Sequence, residues 1–228
     1  FLSIIFFSLN PVKVFAQQGK IVFEHFSVAQ GMYKPIVRSV IRDRDGYLWF
    51  GTLGTIEKFD GYQFSDHKYI LNNPNFISYD WAEKLYEDRN GNIWVGTVYN
   101  GLQKFDKTKD LFTHYNLHTT GPKTESSDHV FSICEDKYGI LWVGTGNGLY
   151  KFDKKSNKFI CVRNDDKNPE SMGSNVVGAI LEDKAGTLWF GNSYGLDKLD
   201  RETGKFIHVW YDPNNKSEWS KYWVNTIF

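Results

Sequence analysis

The chain has 228 residues, of which 27 are Lys or Arg and 27 are Asp or Glu, so its formal net charge is zero. A neutral chain without a basic block is not suited to following the phosphates of a nucleic acid, and we expect no direct nucleic-acid binding. Aromatic residues make up 17% of the chain, and 20 glycines against 6 prolines suit short strands joined by tight turns.

The chain begins with an apolar run at 1–9 that is too short to span a bilayer. An Asn-Pro pair isolates this run, and a Val-Phe-Ala sequence that ends at Ala16 follows it. This order matches the apolar core and cleavage site of a secretory signal peptide. The sequence therefore predicts a signal peptide at 1–16, clipped because the initiator Met and a basic start are missing, and an exported domain at 17–228.

Beyond this leader, one pattern of residues occurs four times. It reads Asp-x-x-Gly-x-[Leu/Ile]-Trp-[Phe/Val]-Gly-[Thr/Asn], and a stretch close to Gly-Leu-x-Lys-Phe-Asp follows it. A fixed period of 40–50 residues without a helical pattern indicates a repeat architecture. The tryptophans of successive copies stand 45, 48 and 47 residues apart, at Trp49, Trp94, Trp142 and Trp189.

Each copy divides into four pieces of strand length. The first piece is apolar, the second holds the Trp, the third holds the Lys-Phe stretch, and the fourth centres on a second Phe. Four short antiparallel strands in a unit of this length form a blade of a β-propeller. We therefore predict an all-β fold, a β-propeller built of four-stranded antiparallel blades.

The two ends of the repeat region each add one further strand pattern. The stretch at 21–26 alternates like a fourth strand, and the stretch at 223–228 resembles the first strand of a fifth blade. We expect four full blades with a single strand at each end, as part of a ring of about seven blades when complete. The missing blades would then belong to the remainder of the same protein.

The repeats resemble the two-component regulator propeller repeats, which occur in the periplasmic sensor regions of hybrid two-component systems of Bacteroidetes. The resemblance rests on the four Trp cores, on their Gly-Leu-x-Lys-Phe-Asp continuations, on the asparagine-rich link at 164–175 and on the opening at 23–40. One departure is Thr55-Ile56, where the other copies have Gly-Leu. That turn is therefore expected to differ in shape.

The resemblance implies a role in signal transduction. It implies a sensor that recognises a carbohydrate, often an oligosaccharide released from a polysaccharide, and that signals to a histidine kinase in another part of the protein. It also implies a full-length protein that is anchored in the inner membrane and forms a homodimer. The kinase activity would lie outside these residues, so we expect no enzymatic activity, cofactor or metal in this chain.

Aromatic and amide side chains point to a ligand site at one face of the propeller. The links between blades and the turns between second and third strands lie on the same face of an antiparallel blade. Aromatic rings beside amides suit sugars, whose C–H faces stack while their hydroxyl groups form hydrogen bonds. The candidates on this face are Tyr79, Tyr99, Asn100 and Tyr194.

A second group of candidates stands at first-strand positions that differ from blade to blade while their neighbours stay apolar. Differences at equivalent points of a repeat are typical of a channel mouth adapted to a ligand, although such aromatics also fill uneven gaps between blades. The repeated Trp recurs identically and is interpreted as structural. The variable candidates are Arg38, Trp81, Glu83, His129, Phe131 and Trp223.

Two other function classes remain open, because propellers host enzymes and interaction platforms as well as sensors. A propeller glycosidase or lyase would need convergent carboxylates or a nucleophile with its base. Glu83 is the only carboxylate at a variable first-strand position and has no evident partner in the sequence. A protein-interaction platform would instead show a flat face without a pocket. The resemblance favours the sensor.

Overall fold

A computed structural model describes residues 25–117, 128–153, 156–211 and 223–228. The signal peptide expected at 1–16 lies outside these residues.

Within the described residues the chain forms sixteen strands, after a short 3₁₀ helix at Val28–Gln30. Blade one contains β1 (Ser39–Arg42), β2 (Leu48–Gly51), β3 (Thr55–Phe59) and β4 (Phe64–Lys68), and blade two contains β5 (Ala82–Glu87), β6 (Ile93–Thr97), β7 (Leu102–Asp106) and β8 (Leu111–Tyr115). Blade three contains β9 (Val130–Glu135), β10 (Leu141–Thr145), β11 (Gly148–Asp153) and β12 (Lys158–Val162), and blade four contains β13 (Val177–Glu182), β14 (Leu188–Asn192), β15 (Gly195–Leu199) and β16 (Phe206–Tyr211).

The strands form four separate sheets of four antiparallel strands, each in chain order, which confirms the predicted all-β blades. The first strands of the blades lie next to one another, with β1 against β5, β5 against β9 and β9 against β13. Successive blades therefore stack side by side, as in a propeller.

One carboxylate closes the first hairpin of each blade and fixes the repeated Trp. In blade one, Asp43 Oδ1 accepts the N–H groups of Asp45 (3.1 Å) and Tyr47 (2.9 Å), while Oδ2 accepts the indole N–H of Trp49 (2.8 Å). An Asp that bonds to its own turn in this way stabilises a tight hairpin. The indole bond recurs from Trp94 to Asp88 (2.8 Å), from Trp142 to Asp136 (2.9 Å) and from Trp189 to Asp183 (2.8 Å).

The oriented Trp packs between blades, which agrees with its interpretation as a structural residue. Trp49 is 1% exposed and lies 5.7 Å, between ring centroids, from Phe105 of blade two. The same cluster contains Leu85 and Val95, so blade two supplies most of the apolar surface that covers Trp49. Burial of these side chains is the main source of stability between blades.

The Gly that follows each Trp allows the next blade to approach. A Cβ on Gly96 would lie 2.5 Å from Cγ1 of Val130, the first residue of β9. Gly51 meets Ala82 of β5 in the same way, and Gly191 meets Val224. Val224 therefore occupies the position of a first strand against blade four.

The prediction of a strand at each end is only partly met. Residues 223–228 dock where a first strand would lie, and Val224 N–H donates to Asn192 O (3.1 Å), but they are not assigned as a strand. A first strand is defined by pairing with the second strand of its own blade, and no such partner stands beside 223–228 among the residues that the structure describes. The stretch at 21–26 falls mostly outside them, and its described residues are not a strand either.

A second set of polar bonds ties each blade to the next at the hairpin face. The N–H that follows the turn Asp of one blade donates to a Glu at the end of the next first strand. These bonds run from Arg44 to Glu87 (2.8 Å), from Arg89 to Glu135 (2.7 Å) and from Lys137 to Glu182 (2.6 Å). We name this side of the blades the stapled face.

Two cations reinforce the stapled face. Lys107 Nζ lies 3.1 Å from Asp43 in the preceding blade and 2.9 Å from Glu87 in its own. Arg201 makes the same bridge between Asp136 and Glu182, at 2.8 Å to each.

The links between blades lie at the other end of the strands, where a different bond recurs from the backbone of the link to the third strand. It runs from Tyr33 N–H to Glu57 (2.7 Å), from Ser78 N–H to Gln103 (3.1 Å) and from Gly173 N–H to Asp197 (2.8 Å). Because the link contributes only its backbone to these bonds, its side chains can vary.

Candidate functional site

The six variable first-strand candidates lie along one row at the end of the strands opposite the stapled face. We call them the axial strip. Arg38 precedes β1, Trp81 and Glu83 flank the start of β5, His129 and Phe131 flank the start of β9, and Trp223 opens the segment docked on blade four. Because the first strands are neighbours, side chains at equivalent positions come close across blades.

At the blade one end of the strip, a cation lies over an aromatic ring. The guanidinium carbon of Arg38 is 4.9 Å from the ring centroid of Trp81, and Arg38 Nε is 3.9 Å from Glu83 Oε2. The Arg38 and Glu83 side chains are 48% and 28% exposed. An ion pair this long and this exposed contributes about 0–1 kcal/mol. Both side chains can therefore turn toward a ligand at little cost.

The centre of the strip is an imidazole packed on an aromatic ring. The ring centroids of His129 and Phe131 are 4.0 Å apart. Burial lowers the pKa of His129 below its ordinary value, although the carboxylates of Glu83 and Asp80 oppose the shift. The imidazole is therefore neutral at pH 7. Its Nε2 is buried without a hydrogen-bond partner in the described part of the chain.

The far end of the strip is a tryptophan that lies in space left by a glycine. Trp223 is 40% exposed and meets Phe131 edge to face, with ring centroids 5.9 Å apart. Gly178 holds the position in blade four that Phe131 holds in blade three, and a Cβ on Gly178 would lie 2.7 Å from Trp223 Nε1. The glycine thus admits the indole. Ring contacts run from His129 through Phe131 to Trp223, and the carboxylate of Glu83 acts electrostatically on His129.

The link-face candidates divide between two places. Tyr79 is 62% exposed and lies 5.6 Å from Tyr69 between ring centroids. It also covers Gly54, where an added Cβ would lie 2.9 Å from Tyr79 Cδ2. Tyr99 is 59% exposed in the turn between β6 and β7. Tyr194 lies in the equivalent turn of blade four, where its N–H donates to Asn192 Oδ1 (2.9 Å). Blade three separates Tyr194 from the other two.

A buried carboxylate that the sequence does not single out joins the strip to the link face. Asp80 is 3% exposed, and its Oδ2 accepts the N–H groups of Tyr99 (2.7 Å) and Asn100 (2.9 Å) and the side-chain amide of Asn100 (3.0 Å). Its Oδ1 accepts the N–H of Trp81 at 2.7 Å. The sequence does offer an indication, because this position varies between blades as the strip positions do. The other three blades have Pro35, Asp128 and Asn175 there.

The described residues offer no metal site, since no group of three or more His, Cys, Asp or Glu side chains among them is arranged to hold an ion. Within the same residues, no helix has the length and apolar character needed to cross a membrane.

A family model described as two component regulator propeller matches residues 33–54, 77–99, 124–147 and 171–194, one match for each Trp core. Histidine kinase P4 of Formosa agariphila is 36% identical over 72 residues, which is 32% of this chain and 5% of that protein.

Solved structures share the fold. The extracellular domain assigned to a hybrid two component system of B. thetaiotaomicron has a TM-score of 0.63 at 21% identity, over 76% of this chain and 22% of that one. A catalytically inactive virginiamycin B lyase from Staphylococcus aureus has a TM-score of 0.54 at 17% identity, over 75% of this chain and 54% of the lyase. The chain thus spans about a fifth of the first and about half of the second. At these identities the similarity establishes the propeller fold alone.

Proposed function

The chain carries four two-component regulator propeller repeats. On that basis we propose that it is the periplasmic sensor region of a hybrid two-component system whose axial strip binds an oligosaccharide. The family description names two-component regulators, and one relative is a histidine kinase. The similar solved domain of B. thetaiotaomicron is extracellular. A periplasmic location also agrees with the signal peptide expected at 1–16.

The single observation that carries the carbohydrate assignment is the mixture of rings and polar groups along the strip. Trp81 and Phe131 supply apolar faces at the starts of the neighbouring strands β5 and β9, and Trp223 supplies a third from the segment docked on blade four. Arg38 and Glu83 beside Trp81, and His129 beside Phe131, add donors and acceptors. Sugar rings present the complementary pattern, with C–H faces that stack on aromatic rings and hydroxyl groups that form hydrogen bonds.

The charge of the strip favours a neutral sugar. The Arg38 and Glu83 side chains compensate each other at 3.9 Å, and His129 is neutral at pH 7. A uronate or sulfated sugar would have to break the contact between Arg38 and Glu83 and leave the carboxylate beside the ligand anion. Like charges at such a distance are unfavourable.

The carboxylates near the strip favour binding without turnover. A glycosidase needs two carboxyl groups that flank the scissile bond, one of them available as acid and the other as base or nucleophile. Glu83 faces Arg38, and Asp80 already accepts four N–H donors. Neither arrangement leaves a pair of carboxylates around a bound sugar. We therefore infer recognition and not catalysis.

Signalling follows if the ligand has different affinities for two arrangements of the protein. A ligand across several blades favours the arrangement in which the strip contacts are all made at once. That preference shifts the population of the sensor, and of a homodimer that contains it, toward the bound arrangement. A histidine kinase in the same protein would then read the shift.

The test is a binding screen of the purified chain against neutral and acidic oligosaccharides of plant, host and microbial origin. A ligand present at 100 times its Kd raises the stability of the fold by about 2.7 kcal/mol, which a thermal shift detects. Each hit is then incubated with the protein, and products are sought by chromatography. A stabilising sugar that stays intact supports the proposal, and cleavage assigns the chain to the enzymes instead.

Two variants locate the site. Trp81→Ala removes an aromatic face of the strip and should weaken binding of every hit. Tyr62→Ala is the matched control, since Tyr62 is 95% exposed in the turn between β3 and β4 on the stapled face. Equal losses in the two variants, or no binding to any glycan, would contradict the proposal.

A further inference from the structure

A groove lies over blade two, near the axial strip, at the end of the strands where the links run. It has a volume of about 250 Å³, and its lining includes Ser78, Tyr99, Asn100, His114, Asn116 and Asp128. Pockets that hold a whole drug-sized ligand have volumes of about 300–1,000 Å³, so this groove is suited to part of a ligand that is also bound elsewhere.

The inner end of the groove is tied to the strip. Asp128 directly precedes His129, and Asp80 joins the turn of Tyr99 and Asn100 to Trp81 by hydrogen bonds of 2.7–3.0 Å. The Tyr99 ring is thus presented on a fixed backbone while it remains 59% exposed. One hydrogen of the Asn100 amide nitrogen goes to Asp80, so Asn100 can offer a ligand its carbonyl oxygen and the second amide hydrogen.

The turn that carries Tyr99 is longer than its counterparts. Four residues separate β6 from β7, whereas two separate β10 from β11 and two separate β14 from β15. The insertion places an aromatic ring and an amide beside the groove in blade two, where blade three has only Gly146 and Asn147. Blade two is therefore specialised at this point.

The outer end of the groove holds a histidine with an available acceptor. His114 Nε2 lies 3.0 Å from Phe76 O, and a carbonyl oxygen only accepts, so Nε2 carries the proton. Nδ1 is then the acceptor and meets Ser78 Oγ only at 3.4 Å. Behind these groups, Gln103 is fully buried, and its amide nitrogen has no hydrogen-bond partner in the part of the chain that is described.

The equivalent histidine of blade four is held much more firmly. His208 Nδ1 lies 2.6 Å from Asp197 Oδ1, a carboxylate that is 0% exposed, and its Nε2 lies 3.1 Å from Pro169 O. In blade two, the position of Asp197 is occupied by Gln103. Blade two therefore lacks the strong bond that fixes the ring in blade four, and its histidine can exchange the weak Ser78 contact for a ligand hydroxyl.

From these observations we propose that the groove is an extension subsite for the sugar units that continue from the axial strip. The ligand is then a linear oligosaccharide that runs outward over blade two, with its first units on the strip and the following units against Tyr99 and His114. This inference rests on the proposed carbohydrate binding at the strip and adds the length and direction of the ligand.

The test measures affinity by calorimetry along neutral linear series, the cello-, manno- and xylo-oligosaccharides from monosaccharide to hexasaccharide. Affinity should rise with length until the groove is filled. Tyr99→Ala should weaken the longer members about three- to tenfold, as expected for the loss of one stacked ring, and leave the shortest binding member unchanged. Tyr99→Phe keeps the ring and should restore the wild-type dependence on length.

Trp81→Ala separates this inference from the proposed function, because it should weaken members of every length. If sugars bind but affinity does not depend on length, or if Tyr99→Ala weakens all lengths equally, the extension subsite is refuted and the strip remains. If no member of any series or of the wider glycan panel binds, both proposals fail. The backbone bonds of Asp80 do not involve the Tyr99 side chain, and circular dichroism should confirm that Tyr99→Ala folds.

Discussion

Gly96→Ala tests how closely blades two and three approach. The new Cβ would lie 2.5 Å from Cγ1 and 2.8 Å from Cβ of Val130, and 3.4 Å from Cβ of Lys84. Carbon atoms in good contact are about 3.5–4.0 Å apart, so the added methyl overlaps Val130 by about 1 Å. Overpacking of this kind costs about 1–3 kcal/mol. Alanine also loses less unfolded-state entropy than glycine, a gain of about 0.4–1 kcal/mol.

We therefore expect the free energy of unfolding to fall by about 1–2 kcal/mol, which lowers the Tm by about 2–8 °C for a chain of this size. Urea denaturation followed by tryptophan fluorescence measures the change. Gly144→Ala should cost more, because its Cβ would lie 2.6 Å from the backbone O of Val177, which cannot move away as a side chain can.

The control is Gly61→Ala, where φ is +99° and no atom lies within 4 Å of the new Cβ. Placing alanine in the left-handed backbone conformation costs about 1–2 kcal/mol, and the smaller unfolded-state entropy of alanine offsets part of this cost. We therefore expect Gly61→Ala to lower the free energy of unfolding by about 1 kcal/mol or less. A change of less than about 0.5 kcal/mol in Gly96→Ala would refute the reasoning, because it would mean that β9 does not pack on Gly96.

Three further predictions concern the strip, the hairpin and pH. Trp81→Ala should lower the affinity for the oligosaccharide by about 10- to 100-fold in calorimetry, since burying an aromatic side chain contributes about 1.5–3 kcal/mol. An unchanged affinity would show that Trp81 does not contact the ligand. Asp136→Asn turns an amide toward the indole N–H of Trp142 and should lower the free energy of unfolding by about 1–3 kcal/mol in urea, whereas a neutral effect would mean that this bond is dispensable. Burial lowers the pKa of His67, which stacks on Trp49, although Asp110 opposes the shift. The unfolded chain then binds the proton more readily, so stability should fall as the pH drops below about 6.5, and a shallower slope in His67→Gln would confirm the assignment.

The repeat geometry could be predicted from the sequence because the same residues recur for the same physical reason. The Trp, its turn Asp and the following Gly make the same kind of contact in each blade. The pattern that the four copies share therefore predicts one blade structure. The Glu that receives the bond between blades follows the same logic. It stands at Glu87, Glu135 and Glu182, and the series is broken only by Arg42 in blade one.

The candidate site could be predicted only in part, because it depends on contacts between blades. The variable first-strand positions point to the strip, since neighbouring strands must bring such positions together. Asp80 escapes notice because its role is set by the turn of Tyr99, which lies 19 residues away in sequence. His114 escapes for a similar reason. Its two bonds go to backbone and side-chain atoms of the link before blade two, 38 and 36 residues away in sequence.

The stapled face has a mechanical consequence. The bonds from Arg44 to Glu87, from Arg89 to Glu135 and from Lys137 to Glu182 hold neighbouring blades together at one end of their strands. At the other end, where the axial strip lies, backbone bonds also join neighbouring blades, from Gly54 N–H to Asp80 O (2.8 Å) and from Ala82 N–H to Thr52 O (2.9 Å). Small changes of angle between blades alter the spacing of Trp81, Phe131 and Trp223 together. The distances between these side chains therefore depend on the curvature of the whole array of blades.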